Sequence, residues 1–215
     1  MKILKSFVYF GIAFVSFCLW STEVFAQKNK QKQKQKIKQP WESVTILPKS
    51  VWNAQEPKPY KQNVPVQITV HHEGGRVLNI GDDAKQRLKN VQTWSMGPDR
   101  KWADIPYHIL IAPDGTVYEG RNALTVGETN TEYDPTGHLL ISFLGNYTQQ
   151  KITPELLDVL VRLLADSCVK YGISPDLIST HKDHSKQTTC PGEDIYSYFQ
   201  DGSLVKRVKS LLKGK

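Results

Sequence analysis

Two segments of the chain have the hydrophobic pattern of buried β-strands. Gln67–His72 (QITVHH) is a short β-branched run that ends in two histidines, and His138–Leu144 (HLLISFL) is almost entirely apolar. Gly74-Gly75 closes the first run and Gly145-Asn146 closes the second. Short apolar runs bounded by turn residues are typical of strands that pack on both faces. We therefore predict a strand in each segment.

A third apolar region predicts a hairpin. The strand-like runs Tyr107–Ala112 and Thr116–Glu119 are separated by Pro113-Asp114-Gly115. Proline, aspartate and glycine in this order favour a tight turn between antiparallel strands.

The clearest helix is predicted over residues 153–171. Thr153 is a good N-cap, Pro154 suits the first helical position and Gly172 supplies a C-terminal stop. Its leucines recur at helical spacing and share one face with Cys168, which we interpret as a small core residue.

Two weaker helical patterns complete the secondary structure. Residues 82–94 carry apolar positions at helical spacing after a candidate N-cap, Asp82 or Asp83, and Ser203–Leu212 is amphipathic. Residues 41–66, 126–137 and 181–192 show no periodicity and are predicted to be irregular. The fold class is therefore mixed α/β (α+β), with a small, mostly buried central sheet flanked by helices.

The N-terminus has the composition of an export signal. Lys2 and Lys5 precede an apolar run from Phe7 to Trp20, and Ala26 offers a cleavage site. We predict a signal peptide over 1–26, with no stable membrane span after its removal, because the apolar run is too short to span. The protein is then exported to the periplasm, the cell envelope or the extracellular space.

The positive charge is concentrated outside the predicted domain. Of 28 basic and 21 acidic residues, eight lysines and one glutamate lie in the first 40 positions, so the rest of the chain is balanced. Residues 27–40 alternate Lys and Gln and are predicted to be a disordered linker, or a tether to anionic wall polymers. No aromatic residue interleaves with these lysines, which argues against nucleic acid. Residues 41–215 are predicted to form one monomeric domain.

Histidines and a cysteine lie where a metal site could form. His71 and His72 end a predicted strand, and His181, His184 and Cys190 share one later loop. A hydrolytic zinc site needs three protein ligands and one open position, and such a set could come from these segments. Spacing alone leaves other interpretations open: a structural histidine at the strand end, and a disulfide between Cys168 and Cys190.

Four strings in order give the chain a specific resemblance. ITVHHEGG, WADIPYHILIAPDGTVYEGR, HLLISFLGNY and THKDHSKQTTCPG together resemble the N-acetylmuramoyl-L-alanine amidase type 2 family, which includes peptidoglycan recognition proteins and phage amidase-lysozymes. The similarity runs from about Ser50 to Tyr196. It implies a fold like that of the family and peptidoglycan as the partner.

The resemblance also implies site residues. It puts a Zn2+ ion on His71, His181 and Cys190, and it makes Tyr107 and Thr188 catalytic. Tyr107 would lie near the metal-bound water, and Thr188 would help to hold the carbonyl oxygen as charge develops. His72 would point to the opposite face of its strand and serve in packing or hydrogen bonding.

The sequence departs from the family's pattern in three places. Cys190 comes nine positions after His181, one more than is usual in recognition proteins, so His184 is an alternative ligand. Ser142 or a neighbour stands where one branch has a catalytic Glu, so the role of base should fall to a zinc-bound hydroxide assisted by Tyr107, with Glu73 and Glu119 as lesser candidates. The usual Gly-Ala-His string reads Val126-Gly127-Glu128-Thr129, so substrate preference could differ.

The implied function is zinc-dependent hydrolysis of the amide between N-acetylmuramic acid and the L-alanine of the stem peptide. Cys190 favours this enzyme over the alternative, a non-catalytic peptidoglycan-binding module. The same chemistry in an exported toxin, or a zinc peptidase acting inside the stem peptide, are further alternatives. Arg121, in the YEGR string, is a candidate for binding a peptide carboxylate or for a structural ion pair.

Overall fold

The structure, a computed structural model, describes residues 40–214, and Pro40–Lys215 groups into one compact unit. The predicted signal peptide and the predicted linker up to Gln39 lie outside the described residues, so both remain predictions. No helix within residues 40–214 is long and apolar enough to cross a membrane.

A six-stranded sheet forms the centre of the domain, in the order β1-β4-β3-β5-β2-β6. All neighbouring strands pair in parallel except β3 and β4, which form the hairpin predicted around Pro113-Asp114-Gly115. The mixed α/β class is therefore confirmed. The strands are Ile46–Leu47 (β1), Gln67–His72 (β2), Ile109–Ile111 (β3), Val117–Glu119 (β4), His138–Phe143 (β5) and Ile178–Thr180 (β6).

The helices cover the sheet. They are Ala84–Met96 (α1), Pro154–Tyr171 (α2), His181–His184 (α3), Glu193–Gln200 (α4) and Ser203–Leu212 (α5), with 3-10 turns at Lys49–Trp52 and Pro175–Leu177. Asp83 caps α1 by accepting from the Gln86 amide, and Thr153 caps α2 by accepting from Leu156. Both caps were predicted from the sequence.

Two of the three segments predicted to be irregular contain short elements of secondary structure, so these two predictions are wrong in part. Residues 41–66 contain β1 and a 3-10 turn, and residues 181–192 begin with the one-turn helix α3. Strand β6 and helix α4 were not predicted. These elements are too short for a periodic signal, and β6 is a strand because β2 beside it supplies hydrogen-bonding partners.

Two apolar layers enclose the sheet. One packs α2 and α5 against residues such as Ile68, Ile141 and Phe143, and the other packs α1 and the first 3-10 turn against Leu110 and Tyr118. Cys168 lies in the first layer, as predicted for a core residue.

Strand β2 carries His71 on a polar face. Ile68 and Val70 enter the helical core, whereas Gln67, Thr69 and His71 alternate with them and meet polar side chains. Gln67 and Thr69 both hydrogen-bond the ring of His138 on the neighbouring strand β5.

Candidate metal centre and substrate cleft

A cleft of about 730 Å³ opens at the carboxyl end of β2. Its floor includes His71, His181 and Cys190, and its rim includes Trp94 and Trp102. Tyr107 and Thr188 also line it, so the cleft contains the three implied metal ligands and both residues implied to be catalytic.

His71, His181 and Cys190 converge at the bottom of this cleft. All three are buried, and one potential ligand atom from each lies within 4.8 Å of the others. His71 Nδ1 lies 3.6 Å from Cys190 Sγ, and the His71 and His181 ring centroids are 4.8 Å apart. Among residues 40–214 this is the one group of histidine, cysteine or acidic side chains arranged to hold a metal ion.

The turn from β6 into α3 presents His181. The Asp183 carboxylate accepts hydrogen bonds from the backbone N–H of Thr180 (2.7 Å) and from its hydroxyl (2.8 Å). A side chain that satisfies the first amides of a helix fixes where the helix starts. The sequence Thr-His-Lys-Asp therefore places His181 at the first position after β6, beside His71 on β2.

Backbone contacts hold Cys190 against β2. Its Sγ accepts from the backbone N–H of His72 at 3.2 Å, and its carbonyl accepts from the Lys182 amide at 2.9 Å. Two residues later, Gly192 has a φ of 96° and lies so close to Tyr147 that a Cβ would collide with the Tyr147 carbonyl oxygen. Only glycine fits this approach, which brings the cysteine loop down onto the sheet.

Burial shifts the pKa of each of these three side chains in the direction that favours the neutral form. It raises the pKa of the Cys190 thiol to about 12 and lowers the pKa of His181 to about 4. The pKa of His71 is lowered well below its ordinary value by burial first and then by the neighbouring histidines. Neutral imidazoles are ready to ligate a metal, whereas the thiol must lose its proton when a metal binds.

The outer ring nitrogens of both histidines meet the loop over residues 126–137. Thr131 Oγ1 lies 2.7 Å from His181 Nε2, and the Tyr133 hydroxyl lies 3.3 Å from His71 Nε2. Neither Thr131 nor Tyr133 was predicted from the sequence to lie at this site. This loop has no periodicity, and nothing in its sequence indicates that it folds back over the polar face of β2.

The two residues implied to be catalytic flank the cluster. The Tyr107 hydroxyl donates to the His72 carbonyl at 3.3 Å, and its ring centroid lies 5.3 Å from that of His71. Burial raises the pKa of Tyr107 well above its usual value, so its hydroxyl keeps the proton. Thr188 Oγ1 accepts from the Cys190 amide at 3.0 Å, which leaves its own proton available to donate.

Other candidates have different roles. His184 is not in the converging group, because its Nε2 meets Ser179 Oγ at 2.7 Å and its ring stacks on Tyr133. His72 Nδ1 accepts from the Tyr147 amide, the hydrogen-bonding role predicted for it. Cys168 and Cys190 are both free thiols, so the alternative of a disulfide between them is contradicted.

The lesser candidates for a base do not suit that role. Glu73 lines the cleft, but its carboxylate accepts two hydrogen bonds from Arg87, at 2.6 and 2.9 Å. Glu119 lies outside the cleft, beside a second cavity, and accepts from the Lys49 amide.

The interpretation of Arg121 as a ligand for a peptide carboxylate is wrong. The side chain is 1% exposed and donates to three backbone carbonyls and to Glu128. It is a structural residue beneath the cleft wall, because all three nitrogens of its buried guanidinium already donate to groups of the protein.

An α/β domain with a buried His-His-Cys group in an open cleft suits a zinc hydrolase. Comparison with known proteins then identifies the family. The family model described as N-acetylmuramoyl-L-alanine amidase matches residues 61–193. Peptidoglycan-recognition protein SC2 of Drosophila melanogaster is 31% identical over 165 residues, 76% of this chain and 89% of that protein. Peptidoglycan recognition protein 1 of Bos taurus is 30% identical over 168 residues, 76% and 87% of the two chains.

A solved structure agrees with these relatives. Human PGRP-IBETAC, crystallised in complex with glycosamyl muramyl pentapeptide, superposes with a TM-score of 0.63 at 27% identity, over 72% of this chain and 94% of that one. The chain therefore belongs to the N-acetylmuramoyl-L-alanine amidase type 2 family, which confirms the resemblance drawn from the sequence.

Proposed function

We propose that this protein is a zinc-dependent N-acetylmuramoyl-L-alanine amidase. It hydrolyses the amide between the lactyl group of N-acetylmuramic acid and L-alanine, so that water adds across the bond to give a carboxyl and a free amine. The observation that carries the proposal is the convergence of His71, His181 and Cys190 within 4.8 Å, in a cleft that also contains Tyr107.

The three side chains fit zinc better than other common ions. Two imidazole nitrogens and one thiolate are typical zinc ligands, and three protein ligands are the set found in catalytic sites. Calcium and magnesium prefer oxygen ligands, which this cluster does not offer. When bound, the ion would polarise the scissile carbonyl and lower the pKa of a bound water.

The protein's own residues would complete the reaction. Tyr107 keeps its proton and can donate a hydrogen bond to the oxygen of the scissile carbonyl as negative charge develops there. Thr188, whose oxygen already accepts from the Cys190 amide, can donate to the same oxygen. The stem peptide would lie along the cleft, toward Trp94 and Trp102 on its rim.

The site of action follows from the substrate. Peptidoglycan lies outside the cytoplasmic membrane, which agrees with the predicted signal peptide at 1–26 and with export to the periplasm, the envelope or the extracellular space. After removal of that signal, the Lys/Gln-rich residues 27–40 would form a disordered segment in front of a monomeric catalytic domain, residues 41–215.

The second candidate function is a non-catalytic peptidoglycan-binding module. It is favoured by the relatives, which are named recognition proteins. The two proposals differ in the use of Cys190, because a binding module needs no thiolate ligand.

Replacing one ligand distinguishes them. We expect wild-type protein to retain about one zinc per chain after dialysis and to release free stem peptides from purified sacculi, detected by mass spectrometry. Cys190→Ala should lose both properties, with activity falling roughly 10³-fold or more, since the metal contributes several kcal/mol to transition-state stabilisation.

A matched control is the other thiol of the domain. Cys168→Ala also removes a buried sulfur, but from the helical core, so it should keep zinc and activity at a modest cost in stability. Binding of sacculi without zinc or product release in the wild type would favour the recognition module. Peptides cleaved internally would indicate a zinc peptidase instead.

A further inference from the structure

The loop over residues 126–137 does more than border the cleft. It crosses the polar face of β2 and places two hydroxyl groups against the two histidines of the converging group. The contacts go to the same atom of each ring, Nε2, which lies on the far side of the imidazole from Nδ1. For His71, Nδ1 is the nitrogen that faces Cys190 Sγ.

The contact to His181 is the shorter one. Thr131 Oγ1 lies 2.7 Å from His181 Nε2, and Thr129 Oγ1 lies 3.3 Å from the same atom. The two threonine hydroxyls are 3.1 Å apart, and the Thr131 amide also donates to Thr129 Oγ1. Thr131 is therefore itself held in place, and it can accept the Nε2–H of a neutral His181.

The contact to His71 comes from a tyrosine wedged among four histidines. The Tyr133 hydroxyl lies 3.3 Å from His71 Nε2. Its ring stacks on His184, with centroids 5.3 Å apart, and meets His138 edge-on at 5.4 Å. Because these rings fix the plane of Tyr133, its hydroxyl has a defined position beside His71.

The loop is also attached to the opposite side of the cleft. Asn130 Oδ1 accepts from Arg100, whose guanidinium lies 4.7 Å from the centre of the Trp94 ring. This contact connects the segment before Thr131 to the end of α1, so the loop is supported from both sides.

We propose that Thr131 and Tyr133 are positioning residues that fix the tautomer and the ring orientation of the two histidine ligands. The inference rests on the proposed zinc site. By accepting Nε2–H from His181 and His71, the two hydroxyls leave Nδ1 unprotonated for the metal. Hydrogen bonds of this kind to ligating histidines typically change metal affinity by 10- to 100-fold.

The test measures zinc affinity by competition with a chromophoric chelator, using variants that remove only the hydroxyl. We expect Thr131→Val to weaken zinc binding about 10- to 100-fold and Tyr133→Phe to weaken it less, because its contact is longer. The visible spectrum of the cobalt-substituted protein should change in both variants, since it reports the geometry of the ligands. Thr131→Ser keeps the hydroxyl and should bind zinc within about threefold of wild type.

Matched controls separate positioning from general stability. Tyr198→Phe on α4 and Thr93→Val on α1 make the same chemical changes away from the cleft and should leave zinc affinity unchanged. The zinc-free Thr131→Val and Tyr133→Phe proteins should melt within about 4 °C of wild type, corresponding to roughly 1 kcal/mol.

The outcomes also separate this inference from the proposed function. Wild-type zinc binding with unchanged affinity and cobalt spectra in both variants would overturn the positioning role alone. A wild-type protein that binds no zinc would overturn the proposed function, and this inference with it.

Discussion

Two clusters of buried polar side chains within residues 40–214 differ in how completely the protein itself pairs them. The paired cluster consists of Asp104, His108, Arg121 and Glu128 beneath the cleft wall. The ligand cluster consists of His71, His181 and Cys190 at the cleft floor.

In the paired cluster every group meets a partner within the protein. Arg121 donates to three carbonyls and to Glu128. Asp104 accepts from Lys49, from Gln92 at 2.6 Å and from the Ile105 amide. His108 accepts at Nδ1 from the Leu140 amide and donates from Nε2 to the Thr125 carbonyl.

The ligand cluster has most of its hydrogen-bond partners on its outside. His71 and His181 meet hydroxyls at Nε2, and Cys190 Sγ accepts one backbone N–H at 3.2 Å. On the inside, Cys190 Sγ lies 3.6 Å from His71 Nδ1, and no charged group stands among the ligand atoms. Burial of polar groups therefore does not distinguish the two clusters, whereas the absence of a charged partner does.

The largest loss of unfolding free energy is expected from a substitution in the paired cluster. Arg121→Met leaves Glu128 buried without its cation, which typically costs about 3–5 kcal/mol of unfolding free energy. Urea denaturation of the zinc-free protein measures it, with Arg207→Met as the control at an exposed ion pair. A loss of less than about 1 kcal/mol would show that the fold does not depend on the pairing of Arg121 with Glu128.

The ligand cluster should stabilise the fold when zinc binds, whereas truncation of Cys190 should change the stability of the zinc-free protein little. At free zinc 100 times its Kd, we expect the unfolding free energy to rise by about 2.7 kcal/mol. Arg121→Met should keep this increment, while Cys190→Ala should lose it and otherwise unfold like the zinc-free wild type. Equal stabilisation of Cys190→Ala by zinc would place the metal elsewhere.

The paired cluster also contains a histidine whose effect on stability can be tested by changing the pH. Burial lowers the pKa of His108 to about 4, against about 6.5 in the unfolded chain. Because the unfolded state binds more protons between these values, stability is lost as the pH falls from about 6.5 toward 4.

Replacing His108 should make the free energy of unfolding depend less on pH. Between pH 7 and pH 5 the zinc-free wild type should lose about 2 kcal/mol more stability than His108→Gln, measured by urea denaturation at each pH. The remaining slope belongs to other buried histidines, such as His72 and His138, whose pKa values burial also lowers to about 4. Identical slopes for the two proteins would mean that His108 does not contribute.

The smallest effect is expected at the edge of the paired cluster. Lys49 is partly exposed and lies 2.7 Å from Asp104, which keeps its bonds to Gln92 and to the Ile105 amide without it. Lys49→Met should therefore cost no more than about 1 kcal/mol in the same assay. A loss as large as that of Arg121→Met would show that Asp104 depends on its lysine.

The longer elements could be predicted from the sequence because they carry their own signals. Strand Gln67–His72 and the final helix Ser203–Leu212 have the predicted bounds, and Thr153, Pro154 and Gly172 bound the longest helix. The short strand Ile178–Thr180 and the helix Glu193–Gln200 carry weaker signals. Each depends on a partner distant in the chain, β2 for the strand and the helical core around Ile195 for the helix.

The sequence by itself determined the family and which residues could take part in chemistry, because motif order and residue type are local properties of the chain. It left open whether His184 or His181 joins His71 and Cys190 and whether the Arg121 side chain is free to contact a ligand. Only the tertiary structure decided these points, since they depend on which groups already have partners. The aperiodic 126–137 loop shows this most clearly, because its hydroxyls meet the two imidazoles only through the way the fold lays the loop over β2.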